Sequence, residues 1–218
     1  MIINHKHKFI FIHIPKCAGT SISTALYPYS NKYDTILGGS PDSPEEIIKE
    51  DGFRLHKHST AQEIKRYATP ERWEEYFVFT FVRHPVDRII STYEWWKHTD
   101  AAWDPETKRI INEMSFKEFV FSDYTGLPQI DYLVSRGGGK KHFVEDKFKT
   151  EIDFIGSKEW INRDFAYVCG LLELPRIVLS KENVSLNRHP DNDYYLDDEI
   201  RREIQRKFHQ DYGLLNYQ

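Results

Sequence analysis

Two stretches of this chain are apolar almost without interruption: FIFIHI, within Lys8 to Ile14, and YFVFTFV, Tyr76 to Val82. Runs of this kind suit strands buried on both faces of a parallel sheet; a half-exposed strand would alternate. Ile152 to Ile155 reads as a shorter strand, and Phe53 to Lys57 as another. Elsewhere the apolar residues recur at helical spacing. Val86 to His98 predicts a long helix with Pro85 in its first turn and Ile89, Ile90 and Tyr93 on its packing side. Ile200, Ile204 and Phe208 mark one face of a helical tail from Asp197 to Tyr212. Trp160 to Leu172 reads as a helix, and so does Thr20 to Leu26, which Pro28 stops.

Polar punctuation places the shorter elements. Thr60 to Glu63 and Ser115 to Glu118 are capping boxes, opening helices that reach about Tyr67 and Phe121. Ser43-Pro44-Glu45-Glu46 has the same form and predicts a short helix that Asp51-Gly52 ends. Pro128 to Val134 reads as a further helix, ended by Arg136 and three glycines. Lys32 to Gly39 is loop or weak strand, and Ser180 to Tyr194 is loop. Thr99 to Glu113 is polar and irregular, which suits the rim or lid of a cleft. Strands alternating with helices over 218 residues, without repeats or low-complexity linkers, predict one three-layer α/β domain, residues 1–218, around a central and mainly parallel sheet.

Composition narrows the function classes. A formal charge of -4 argues against non-specific nucleic-acid binding as the main task, yet leaves room for a local cationic pocket. Cys17 and Cys169 lack any paired or metal-type spacing, which argues against a disulfide scaffold. No stretch reaches membrane-spanning length, and the N-terminal apolar run reads as a strand, so a cytoplasmic protein is expected.

The chemistry concentrates where the two strong strands end. After FIHI, Pro15 breaks the strand, and Lys16, Cys17, Ala18, Gly19, Thr20 and Ser21 turn into a helix. Unpaired N–H groups converge at such a turn and favour an anion. Lys16 adds a positive charge, and Thr20 and Ser21 add hydroxyls that either donate to a ligand or cap the helix. This is not a Walker loop, because Lys16 precedes Gly19 by three and no glycine lies upstream in the turn. After YFVFTFV comes Arg83, with Ser91 in the second turn of the next helix. A rigid guanidinium fork and a hydroxyl suit one phosphate, although Asp87 competes for Arg83. Arg88 is better placed to brace the fold or pair with an acid.

Two anion sites after two strands imply a ligand with separated phosphate-like ends. FIHIPKCAGTSI resembles the 5′-phosphosulfate loop, and FVRHPVDRIISTY the 3′-phosphate segment, of the sulfotransferase superfamily in its carbohydrate-type branch, the sulfotransferase family 2 group. PQIDYL, FIGSKEWINRDFAYVCGLL and DYGLLNY resemble further, less specific segments of that group. One departure is Ser157-Lys158-Glu159, where the family pattern has arginine ahead of the glutamate. The resemblance implies a P-loop nucleotide-kinase-like fold, 3′-phosphoadenosine 5′-phosphosulfate (PAPS) as donor and 3′-phosphoadenosine 5′-phosphate (PAP) as product. It places Lys16 at the leaving-group side of the sulfate, the rest of the loop to Ser21 around the 5′ end, and Arg83 and Ser91 at the 3′-phosphate.

Transfer to a hydroxyl acceptor, a small molecule or glycan, benefits from a base. GFRLHKHSTAQEI offers His56 and His58; a histidine just before a capped helix is the family's base, which favours His58. Asp34, Glu63, Glu94 and Asp100 are weaker acidic candidates. Tyr93, Trp95, Trp96 and Trp103 either line an acceptor cleft or pack the core. A sulfuryl group carries less charge than a phosphoryl dianion, so lysine, hydroxyls and N–H groups suffice without a metal. The competing readings are a non-catalytic phosphonucleotide- or glycan-binding module, which would need no base, and an ATP-dependent small-molecule kinase, whose Walker spacing is missing.

Overall fold

A computed structural model describes residues 1–38, 43–49, 51–100, 104–134, 151–180 and 188–217. In chain order the strands are β1 (Ile2–Asn4), β2 (Phe9–Ile12), β3 (Thr35–Ile36), β4 (Glu46–Ile48), β5 (Arg54–His56), β6 (Phe77–Val82) and β7 (Phe154–Ser157). The helices are α1 (Gly19–Leu26), α2 (Ala61–Ala68), α3 (Pro70–Glu75), α4 (Pro85–His98), α5 (Pro105–Glu113), α6 (Phe116–Phe121), α7 (Ile161–Leu171), α8 (Asp198–Lys207) and α9 (His209–Leu214). The chain forms two compact units, one of Met1–Val82 with Gln129–Asn183, the other of Arg83–Pro128 with Val184–Gln218. Among the described residues no helix is long and apolar enough to cross a membrane.

The first unit is built on a five-stranded sheet in the order β3-β1-β2-β6-β7. The β2/β6 and β6/β7 pairs are parallel, while β1 runs antiparallel to both β2 and β3. The continuous apolar runs thus became the two central strands. Phe9, Phe11, Phe79 and Phe81 share one core with Ile22 and Leu26 of α1 and Phe165 and Val168 of α7. The alternate positions Ile10, Ile12, Val78 and Thr80 are buried too, as two covered sheet faces require. Thr80 satisfies its hydroxyl by donating to the Ile12 carbonyl at 2.8 Å. The second unit packs Val86, Ile89 and Ile90 of α4 against Phe116, Phe119 and Val120 of α6 and Ile200, Ile204 and Phe208 of the C-terminal helices. Both predicted capping boxes form, at Thr60 with Glu63 and at Ser115 with Glu118.

Three local expectations are corrected. The Ser43-Pro44-Glu45-Glu46 segment does not start a helix; Glu46–Ile48 is a strand paired with Arg54–His56, Ile47 facing Leu55. Asp51-Gly52 makes the hairpin turn: Gly52 has φ 78 and donates its N–H to the Lys49 carbonyl at 2.9 Å, and Asp51 accepts from the Phe53 N–H at 3.0 Å. Cross-strand bonds and the buried Leu55 outweigh a weak cap. This hairpin is a separate two-stranded sheet, so the predicted strand at Phe53 to Lys57 does not join the central one. Part of the irregular Thr99 to Glu113 segment is helical: Asp104 caps α5 by accepting from the Thr107 N–H at 3.2 Å, and Ile111 is buried. The predicted helix at Pro128 to Val134 is a 3₁₀ turn over Gln129–Tyr132, and the glycines after Arg136 lie outside the described residues.

Gly156 of β7 tests the close packing of this sheet. A Cβ there would lie 2.5 Å from Cε1 of Phe81, itself fully buried. Gly156→Ala is expected to destabilise the protein by about 1–3 kcal/mol through overpacking, read as a lower urea midpoint with an unchanged denaturant slope.

Candidate functional site

In the first unit, β2 runs into a loop with unusual backbone geometry. Lys16 and Ala18 both have positive φ, 66° and 65°. A left-handed non-glycine residue costs on the order of 1 kcal/mol, and such strain is retained where it has a use. Left-handed Ala18 followed by helical Gly19 is the kind of pair that aims successive N–H groups at one point. α1 then begins at Ala18 with no side-chain cap hydrogen bond, so no capping side chain covers its positive end. Lys16 and Thr20 are half-buried, and Ser21 is buried. The Cys17 thiol is turned inward and donates to Oε1 of the buried Gln129 at 3.1 Å. The PQIDYL segment therefore backs the loop, and Cys17 has only its backbone to offer a ligand.

His13, which sequence reasoning passed over, organises this region. Its buried ring lies where a side chain on Gly19 would be: a Cβ there would sit 1.9 Å from Cδ2 and 2.2 Å from Nε2 of His13. The backbone carbonyl of His13 accepts a hydrogen bond from Nδ1 of His58 at 2.9 Å. The two imidazoles meet edge to face with centroids 4.6 Å apart. Nδ1 of His13 is buried without a hydrogen-bond partner, an arrangement that usually costs about 1–3 kcal/mol. The one available signal was a polar residue inside an otherwise apolar buried strand run.

His58 stands on a tight turn in which the Ser59 N–H donates to the His56 carbonyl at 2.9 Å and Ser59 Oγ accepts from the His56 N–H at 3.1 Å. A carbonyl partner requires Nδ1 of His58 to carry the proton, which leaves Nε2 with its lone pair, the form a general base needs. Burial pushes the His58 pKa down to about 3, against the opposing pull of the His13 carbonyl. Burial likewise holds His13 well below the usual histidine range. His56 is exposed, and its Nδ1 accepts from the His58 N–H at 3.1 Å. Among the described residues no group of three or more His, Cys, Asp or Glu could hold a metal ion.

In the second unit, Arg83 and Ser91 are both buried. Asp87 lies 3.7 Å from the Arg83 guanidinium, but its tighter partner is Arg188 at 2.6 Å, with Asn192 at 3.4 Å from the same oxygen. Although burial works against ionisation, Arg188, Arg83 and Asn192 together keep the Asp87 carboxyl below its usual range. Arg188 therefore shares the acid expected to compete for Arg83 and holds it more closely, an arrangement that 101 residues of sequence separation hid. Arg88 is a brace: it is buried and donates to the Leu127 carbonyl at 2.9 Å.

The remaining candidates have structural partners. Asp34 accepts from Asn4 and from the backbone of His5 and Asn31, Glu63 closes a capping box, and Glu94 accepts from the Tyr195 hydroxyl at 2.9 Å. Asp100 is exposed. Tyr93 packs on Phe116 and Phe119, and Trp96 joins the same core, with Trp95 against it at 4.9 Å. Trp103 lies outside the described residues. At the departure Ser157-Lys158-Glu159, Glu159 accepts from the Ser157 hydroxyl, and the buried Asp164 accepts from the Ser157 N–H at 2.8 Å.

Comparison with known proteins agrees with these motifs. The profile described as "Sulfotransferase family" matches residues 1–218. Carbohydrate sulfotransferase 10 of Xenopus laevis is 23% identical over 248 residues, covering 100% of this chain and 67% of that protein. The Gallus gallus carbohydrate sulfotransferase 10 is 28% identical over 196 residues, covering 79% of this chain and 52% of that protein. Carbohydrate sulfotransferase 11 of Danio rerio aligns over 96 residues at 26% identity, 43% of this chain and 25% of that protein. The chain thus spans two thirds or less of these relatives' length. No solved structure matches.

The geometry at His58 predicts a pH signature. An unfolded histidine titrates near 6.5, whereas folded His58 does so at about 3. Between those values the unfolded chain holds a proton that the folded one lacks, so stability falls as pH drops from about 6.5 towards about 3. Urea midpoints across this window should decline, and His58→Gln should make the decline shallower. Histidine NMR should find the His58 ring neutral at pH 5.

Proposed function

The chain belongs to the sulfotransferase family and aligns with its carbohydrate-type branch, and from that premise we propose that it transfers a sulfuryl group from PAPS to a hydroxyl of a carbohydrate acceptor. The observation that carries the reading is the pairing, within one unit, of an anion-ready loop at Lys16–Ser21 with a histidine whose Nε2 is left deprotonated by its bond to the His13 carbonyl. A purely binding module has use for the loop but none for such a histidine. In this reading the whole chain serves one transfer domain with a three-layer, nucleotide-kinase-like fold.

The donor supplies an activated sulfuryl group on a phosphate leaving group. Lys16 and the N–H groups at the start of α1 would face the 5′ end, where leaving-group charge grows as the bond breaks, and preorganised donors count for most at such a point. Arg83 and Ser91 would hold the 3′-phosphate, with Arg188 keeping Asp87 engaged. His58 would take the acceptor hydroxyl proton on Nε2. Its proton affinity is low because burial disfavours the imidazolium. Anionic groups brought beside it would raise that affinity, tying base strength to an occupied donor site.

Calorimetry without Mg²⁺ tests the donor assignment. PAP should bind much more tightly than AMP, because only PAP carries the group assigned to Arg83 and Ser91; equal affinities would reject the 3′-phosphate site. A second measurement addresses the base. His58→Ala should lower turnover by about 10²- to 10⁴-fold with PAP affinity nearly intact, and His56→Ala should be far milder. A collapse in His56→Ala with near-normal turnover in His58→Ala would move the base to His56.

A further inference from the structure

The sheet edge at β3 carries a feature that sulfuryl transfer does not use. Two cavities of about 450 and 740 Å³ open there and share Tyr33, Thr35 and Tyr67, so they form one trough. Neither Lys16 nor His58 lines it. Its walls combine exposed rings with cations. Tyr27 is 40% and Tyr33 73% exposed, in a chain that buries most of its phenylalanines. Lys32, Lys49 and Arg72 also line the trough.

The charges here are arranged differently from those elsewhere in the unit. Lys8, Lys57 and Lys65 each pair with a glutamate. Lys32, Lys49 and Arg72 have no carboxylate partner among the described residues; Lys32 and Lys49 lie instead over the rings of Tyr33 and Tyr67, at 5.1 and 4.5 Å. The acid lining the trough, Asp34, already accepts from Asn4 Nδ2 at 2.9 Å and from the backbone N–H groups of His5 and Asn31, each at 2.8 Å. The surface offered to a ligand is therefore cationic and aromatic within a protein of net charge -4.

We propose that this trough binds an acidic oligosaccharide, its sugar rings lying on Tyr27 and Tyr33 and its carboxylate or sulfate groups meeting Lys32, Lys49 and Arg72. A pyranose has an apolar C–H face that suits an exposed aromatic ring and a rim of hydroxyls that suits polar walls. Lysine on a flexible stem can leave its ring for an anion at little cost, since an exposed cation–π contact is weak. The proposal rests on the trough's own residues and stands apart from the donor and base assignments, so its test needs no donor.

The experiment titrates the full chain with three probes at one ionic strength: a heparin-derived hexasaccharide, a neutral chitin hexasaccharide and a single-stranded hexanucleotide. The acidic sugar should bind at least about tenfold more tightly than either other probe. Tyr33→Ala and the double variant Lys49→Ala/Arg72→Ala should each weaken it by about tenfold. Tyr33→Trp should keep it, and PAP affinity should stay unchanged throughout. The double variant should also flatten the salt dependence. Equal binding of the oligonucleotide, equal binding of the neutral sugar, indifference to Tyr33→Ala, or no binding of the acidic sugar would each overturn the proposal. These side chains are exposed or half-buried, and unchanged melting curves would confirm that the variants fold.

Discussion

One missing methyl group governs the centre of the first unit. The His13 ring occupies the space that any side chain on Gly19 would need, 1.9 Å from where its Cβ would lie. Strand exit and helix start are therefore locked face to face, and the loop from Ile14 to Ala18 must close the gap between them. The same residue extends its carbonyl to His58, so the turn that carries His58 takes its reference from the end of β2. A buried imidazole with an unpartnered Nδ1 is a poor choice for stability alone. A phenylalanine would fill the space and keep the same backbone carbonyl without that penalty, so neither contact accounts for the imidazole itself.

The left-handed residues lie in the loop that joins these two ends. The path from Ile14 to α1 places Lys16 and Ala18 at positive φ. Strain of this kind persists only when surrounding contacts over-determine it; here the inward Cys17 thiol on Gln129 and the ring of His13 supply them. The result is a helix start without a cap and a lysine beside it, a preorganised place for negative charge.

Charge is handled differently at three places, and the differences bear on role. Asp87 holds two arginines and an asparagine in the second unit, a closed network that leaves the acid fully engaged. At His58 burial suppresses charge altogether. Along β3 the cations lie over aromatic rings rather than beside acids. Networks of the first kind fix geometry; surfaces of the third kind exchange partners readily, because an ammonium on a ring gives up little when it turns to an anion.

What the sequence determined by itself was local or periodic. The apolar runs at FIFIHI and YFVFTFV became central strands because continuous burial leaves few other solutions. Thr60 and Ser115 capped their helices because each box is completed within four residues, and the fourfold spacing of Ile200, Ile204 and Phe208 became a buried face. The motifs around Lys16 and Arg83 were legible as residue types at fixed offsets. Only the tertiary structure decided the rest. Ser43 to Glu46 carried a valid helix signal that lost to a partner strand eight to ten residues downstream. Asp87 took a distant residue, Arg188, as a tighter partner than its near neighbour Arg83. The tautomer of His58 was set by a carbonyl 45 residues away, and the space beside Gly19 was filled by the ring of His13. Each depends on which distant group fills a given space, and chain-local propensity carries no information about that.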